Sequence, residues 1–124
     1  MLNRIIIMGR LTEDPELRAT PTGTQVATFT VAVDRDFNSR DSGEKQTDFI
    51  SCVAWRGIGE FVSKHFRKGR MICVSGRLQS RKWEDRNGSK RTDWDVVVES
   101  VYFCGDKDSK FREMPEANEE DLPF

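Results

Sequence analysis

The sequence predicts a mainly β fold with one short helix between its third and fourth strands, on three observations. Alternating apolar and polar residues recur in short runs between residues 3 and 103. Turn signals separate those runs, with Pro-Thr-Gly-Thr at 21–24 and Asn-Gly at 87–88. One segment, GIGEFVSKHFRKG at 57–69, abandons the period of two for a helical one. At 124 residues the chain has room for a single domain with one modest core.

The first strand is predicted near Asn3–Leu11. The second follows the 21–24 turn as QVATFTVAVDRDF, where Ala27, Phe29, Val31 and Val33 share one face and Thr28 and Thr30 the other. The polar stretch NSRDSGEKQ at 38–46 is expected to be an exposed loop, and TDFISCVAW at 47–55 is the third strand. In the helix, Ile58, Phe61, Val62 and Phe66 form the apolar stripe, with Arg67 and Lys68 expected in the last turn and Gly69 as its cap. The fourth strand is predicted over about 70–83 and the fifth over about 91–103, joined by the Asn-Gly hairpin. Three strands, a helix and two strands is the element order of a five-stranded OB-fold barrel. Periodicity stops after Cys104, so 1–105 is read as the barrel and 106–124 as an acidic tail, disordered in isolation.

The net charge of -1 conceals an asymmetry. Residues 1–112 hold all 20 Lys and Arg against 16 of the 21 acids, a net of +4, while 113–124 hold five acids and no base. A mildly basic body with an acidic tail points to nucleic acid or to an interaction tail. Cys52, Cys73 and Cys104 form neither a Cys-x-x-Cys nor an even set, so zinc and a disulfide framework are not indicated. Each has apolar neighbours and is read as a small buried hydrophobe, its reduced state implying a cytoplasmic setting. The apolar run Ile5–Met8 is too short for a signal or membrane segment.

The fourth strand carries the chemistry. Ile72, Val74, Gly76 and Leu78 form an apolar face, whereas Arg77, Gln79, Arg81 and Trp83 project from the other. Guanidinium groups pair with phosphates, and an indole offers a plane for a base. On the third strand Phe49 and Trp55 share a face with Ser51 and Val53 between them. Six residues of strand place the two rings roughly 20 Å apart, room for several splayed bases. Core packing is the competing role for both, most of all for Trp55 beside the helix. Phe37, flanked by Asp36 and Asn38, is read as a clamp on a flexible finger. Stacking platforms of this kind select single strands, because duplex hides its base faces.

The stretches MLNRIIIMGRLTEDPELRATPTGTQVATFTVAV and FRKGRMICVSGRLQSRKWED resemble the bacterial single-stranded DNA-binding protein family across about residues 2–104. The resemblance implies stacking at Phe37, Phe49, Trp55 and Trp83, with polar and basic contacts from Arg77, Gln79, Arg81 and Lys82. Trp is frequent in the family where Phe37 and Phe49 stand, and Phe where Trp55 stands. Trp94 has no expected aromatic counterpart, and its role, extending the surface or packing, stays open. The ending EEDLPF is similar to the family's tip: Glu119, Glu120 and Asp121 would steer basic partners, and Leu122, Pro123 and Phe124 would dock with them. The implied partners are single-stranded DNA and enzymes of replication, recombination and repair. The implied assembly is a homotetramer located at the nucleoid, with no cofactor and no membrane. The linker at 106–117 is short for the family, which bears on cooperativity.

An enzyme would need a catalytic constellation, and none stands out. His65, the only His, falls near the helix's apolar stripe, and Asp34 and Asp36 lack a clear third metal ligand. GIGEFV has Val62 where a dinucleotide loop needs its third Gly, and Arg77 where an acid would follow. The remaining alternative is an OB-fold adaptor that does not bind DNA and recruits proteins through its tail.

Overall fold

The computed structural model describes residues 1–36 and 45–105. The strands are β1 (Ile5–Leu11), β2 (Glu16–Ala19), β3 (Gln25–Asp34), β4 (Thr47–Trp55), β5 (Met71–Glu84) and β6 (Lys90–Phe103), with α1 (Arg56–His65) between β4 and β5. They form one sheet in the order β1-β5-β6-β4-β3-β2. A short pairing of Arg10 with Ala32 and Leu11 with Val31 joins β1 back to β3 and closes the barrel. All contacts along the sheet are antiparallel except β4 against β6.

Alternation decides the inside. Ala27, Phe29 and Val31 of β3, Cys52 and Ala54 of β4, and Ile72 and Val74 of β5 are all buried. Val62 and Phe66 complete this core from the helix side, and Phe66 stacks on Phe103 with ring centroids 5.1 Å apart. His65 lies 4.5 Å from the Phe61 ring and edge-on to Phe103, so it packs as its place on the stripe predicts.

Three features differ from the sequence reading. β2 is an additional strand; its four residues are all exposed and pair with β3 from Glu16–Thr28 to Ala19–Gln25. No apolar alternation announces it, because neither of its faces meets the core. The helix ends at His65, so Arg67 and Lys68 lie beyond it, and Gly69 serves the following turn by donating its amide to Leu11 O. Arg67 still closes the helix end from outside, its guanidinium donating to the carbonyls of Ser63 and Phe66. Of the three cysteines only Cys52 is fully buried; Cys73 and Cys104 are half-buried, as the face of β5 carrying Cys73 is not covered by the barrel. Burial, assisted by the nearby Asp95 charge, pushes the Cys52 thiol up to about 12.

β5 and β6 run together for most of their length, and half of that ribbon leaves the barrel. β1 accompanies β5 only as far as the Ile5–Gly76 pair. One step further the Asn3 amide imitates a strand, donating to Leu78 O at 2.7 Å and accepting from Leu78 N at 3.0 Å. Beyond Leu78 the described strand pairings of β5 are with β6 alone. At the ribbon tip Gly88 has φ 77°, as the turn requires. The Asp85 carboxylate accepts the amides of Ser89 and Asn87 and the Arg91 guanidinium, which hold it below its usual range.

The helix rests on the sheet through Gly59, where an added Cβ would run into the carbonyl oxygen of Ala54 and the amide of Ala27. Glycine there serves close packing rather than phosphate binding. Gly59→Ala is therefore expected to lower stability by about 1–3 kcal/mol, seen as a lower urea midpoint at unchanged slope. An unaltered midpoint would contradict this close approach.

Candidate nucleic-acid interface

The burial of Cys52 and Ala54 forces the intervening side chains of β4 outward. Phe49 is 69% exposed and Trp55 44%, with Ser51 exposed and Val53 half-buried between them. The core role weighed for these two rings is therefore excluded. The parallel register sets Val53 beside Val97 of β6, and Val97 pairs in turn with Arg77 of β5. Paired residues share a face, so Arg77 stands on the same side of the sheet as Phe49 and Trp55. Continuing along β5 by twos, Gln79, Arg81 and Trp83 occupy that face too, all exposed, Trp83 by 43%.

The structure thus brings together Phe49, Trp55, Arg77, Gln79, Arg81 and Trp83. A cleft of about 250 Å³ joins the two strands, lined by Val53, Trp55, Gln79, Arg81, Asp95 and Val97 among others. A larger cleft of about 510 Å³ lies towards the β1–β2 connection, where Arg81, Ser51 and Thr30 face Glu13, Asp14 and Glu16. Lys82 falls on the opposite face of β5, paired with Thr92. Trp94 is on that opposite face as well, across from Ser80 and 58% exposed, so it does not pack into the core. Phe37 and the tail residues Glu119 to Phe124 lie outside the described residues.

The electrostatics hold a feature that the sequence reading missed. Arg81 is paired twice, its Nε 3.3 Å from Asp95 Oδ2 and its Nη2 3.3 Å from Asp93 Oδ2. Asp93 also accepts the Trp83 indole N–H at 3.0 Å. One carboxylate therefore holds both the guanidinium and the ring in place. Arg77 Nη1 donates to Gln79 Oε1 at 2.7 Å, which orders the next pair along the strand. The signal for the acids was present, since an Asn-Gly turn at 87–88 registers Arg81 opposite Asp93. Among the described residues no group of three or more His, Cys, Asp or Glu is placed to hold a metal ion. No helix among them is long and apolar enough to cross a membrane.

The model of the single-strand binding protein family matches residues 2–104. The chain belongs to that family. It is 48% identical over 109 residues to single-stranded DNA-binding protein 2 of Listeria monocytogenes, covering 88% of this chain and 68% of that one. It is 50% identical over 107 residues to single-stranded DNA-binding protein A of Bacillus subtilis, covering 86% of this chain and 62% of that one. The chain thus spans about two thirds of the length of these single-strand binding relatives. The solved structure of a Plasmodium falciparum SSB complex with ssDNA superposes with a TM-score of 0.71 at 29% identity, covering 79% of this chain and 87% of that one. The OB-fold barrel expected from element order is the fold of the family.

Proposed function

We propose that this protein binds single-stranded DNA with little base preference, and so protects it during replication, recombination and repair. One observation carries the reading: three exposed rings, Phe49, Trp55 and Trp83, share a sheet face with Arg77, Gln79 and Arg81. Bases stack on the rings while the guanidiniums meet phosphates. Phe37 supplies a fourth ring, and Lys82 adds charge from the other side of the ribbon. Residues 1–105 form the DNA-binding barrel, and 106–124 form a tail whose acids Glu119, Glu120 and Asp121 precede Leu122, Pro123 and Phe124. That apolar group docks with replication, recombination and repair enzymes, and the acids speed their encounter. The protein acts in the cytoplasm, at the nucleoid.

Self-association, with a homotetramer as the proposed assembly, finds support on the uncovered side of β1, β5 and β6. Met8 pairs with Cys73, and Cys73 with Tyr102, in one row. Ile6, Met8 and Tyr102 are each at least half exposed. A second copy would cover this apolar face.

The Asp93 carboxylate sets the balance between order and affinity. It fixes Trp83 for stacking, yet it occupies a guanidinium that phosphate would otherwise take. Trp55→Ala and Trp83→Ala are each expected to weaken oligothymidine binding by about 1–3 kcal/mol, the cost of one lost stack. Anisotropy titration checks this: full binding by both variants would show that these rings are not the stacking platform, and a wild-type chain that retains no oligothymidine would favour the adaptor reading. Asp93→Asn keeps an acceptor for the indole and removes the charge. It should tighten binding by about three- to tenfold at low salt, with a steeper salt dependence. Unchanged or weaker binding with an unchanged salt slope would show that Arg81 takes no phosphate.

A further inference from the structure

Trp55 forms part of two clefts. The first, described above, leads along the β5–β6 ribbon. The second, about 540 Å³, is lined by Thr20, Thr22, Thr24, Trp55 and Arg56, and shares only the indole with the first. Its chemistry differs from that of the cleft beside Glu13, Asp14 and Glu16, because no carboxylate lines it.

Two properties of Arg56 bear on this cleft. It has φ 56° and is the only non-glycine residue with positive φ among those described. An L side chain in that region is strained, and such strain persists where the surrounding structure imposes it. Here it is imposed between the end of β4 and the first turn of α1. Among the described residues the Arg56 side chain meets no ion-pair or hydrogen-bond partner, as is true of Arg86 at the ribbon tip, whereas Arg4, Arg18, Arg35, Arg81 and Arg91 all meet carboxylates. The first turn of α1 holds no acid to neutralise it.

The opposite wall is a hydrogen-bonded turn. Thr20 and Thr22 hydroxyls are 2.9 Å apart, those of Thr22 and Thr24 3.4 Å, and the Thr24 amide donates to Thr20 Oγ1 at 3.1 Å. The backbone closes the same turn, Thr20 N donating to Thr24 O at 2.8 Å. An indole plane, an unpaired guanidinium and a row of hydroxyls suit a nucleotide, its base or sugar against the ring and its phosphate on the cation.

We propose that the single-stranded DNA path does not stop at Trp55 but continues across it into this cleft, where Arg56 takes a backbone phosphate and the Thr20–Thr24 turn flanks the adjoining nucleotide. This rests on the DNA-binding reading above. It makes Arg56 a binding residue held at the expense of backbone strain.

The test uses the full chain with Arg56→Gln and Arg56→Gly, titrated with oligothymidines over a salt series, alongside thermal unfolding. Arg56→Gln should lose affinity by about five- to tenfold at low salt, with the slope of log affinity against log salt shallower by about 0.7. Arg56→Gly should lose as much affinity while its unfolding midpoint rises, since glycine takes positive φ without strain. Wild-type binding with both variants unchanged in affinity and slope would overturn this proposal alone. A wild-type chain that retains no oligothymidine would overturn the parent reading and this one with it.

Discussion

The constraint on which the rest depends is the register of β4. Side chains of a strand alternate with a period of two, so burying Cys52 and Ala54 in the core obliges Phe49, Ser51, Val53 and Trp55 to face out. A slip of one residue would bury the rings and expose the core. The parallel pairing with β6 then transmits this register, because Val53 beside Val97 fixes Arg77 and hence every second residue of β5 out to Trp83. Core and surface are therefore specified by one set of pairings. Stability of the barrel and placement of the rings cannot be varied independently.

The interface that results is ordered rather than simply basic. Arg81 lies between two carboxylates, Trp83 is tethered to one of them, and Arg77 is held by Gln79. Exposed pairs of this kind contribute little to stability, since water screens them and two side chains must be fixed. Their effect is on orientation: a ring already held in place loses less entropy when a base stacks on it. The same carboxylates repel phosphate, so affinity at this ribbon is a difference between pre-organisation and charge. Arg56 presents the opposite arrangement, a cation with no side-chain partner among the described residues, whose cost lies in its backbone.

Much of this was legible in the sequence, for reasons that particular residues show. TDFISCVAW reads as a strand and runs over the predicted residues 47–55, but both of its faces are apolar, so its sequence left open which one is buried. The Asn-Gly turn located the ribbon tip, and the stripe Ile58, Phe61, Val62 and Phe66 located the helix. β2 was invisible because it buries nothing and so leaves no hydrophobic period. The helix end was misplaced by a turn because Arg67 caps it from outside through its side chain. Asp93 and Asp95 were overlooked because one strand was read without its partner, and their role exists only across the pair. The bulge at Ser75–Gly76, where β6 holds Glu99 as an extra residue, shifts parity midway along β6. Neither the face taken by Trp94 nor the positive φ of Arg56 follows from residue type.

The central claim is that exposed indoles on this face stack with unpaired bases. Tryptophan emission of the full chain, titrated with oligothymidine and with duplex of equal length at low salt, tests it most directly. The chain has three tryptophans, of which Trp55 and Trp83 line the proposed face and Trp94 the reverse of the ribbon. The account predicts strong, saturable quenching by the single strand, a residual emission from Trp94, and no comparable quenching by duplex. Emission indifferent to single-stranded DNA at low salt would contradict it.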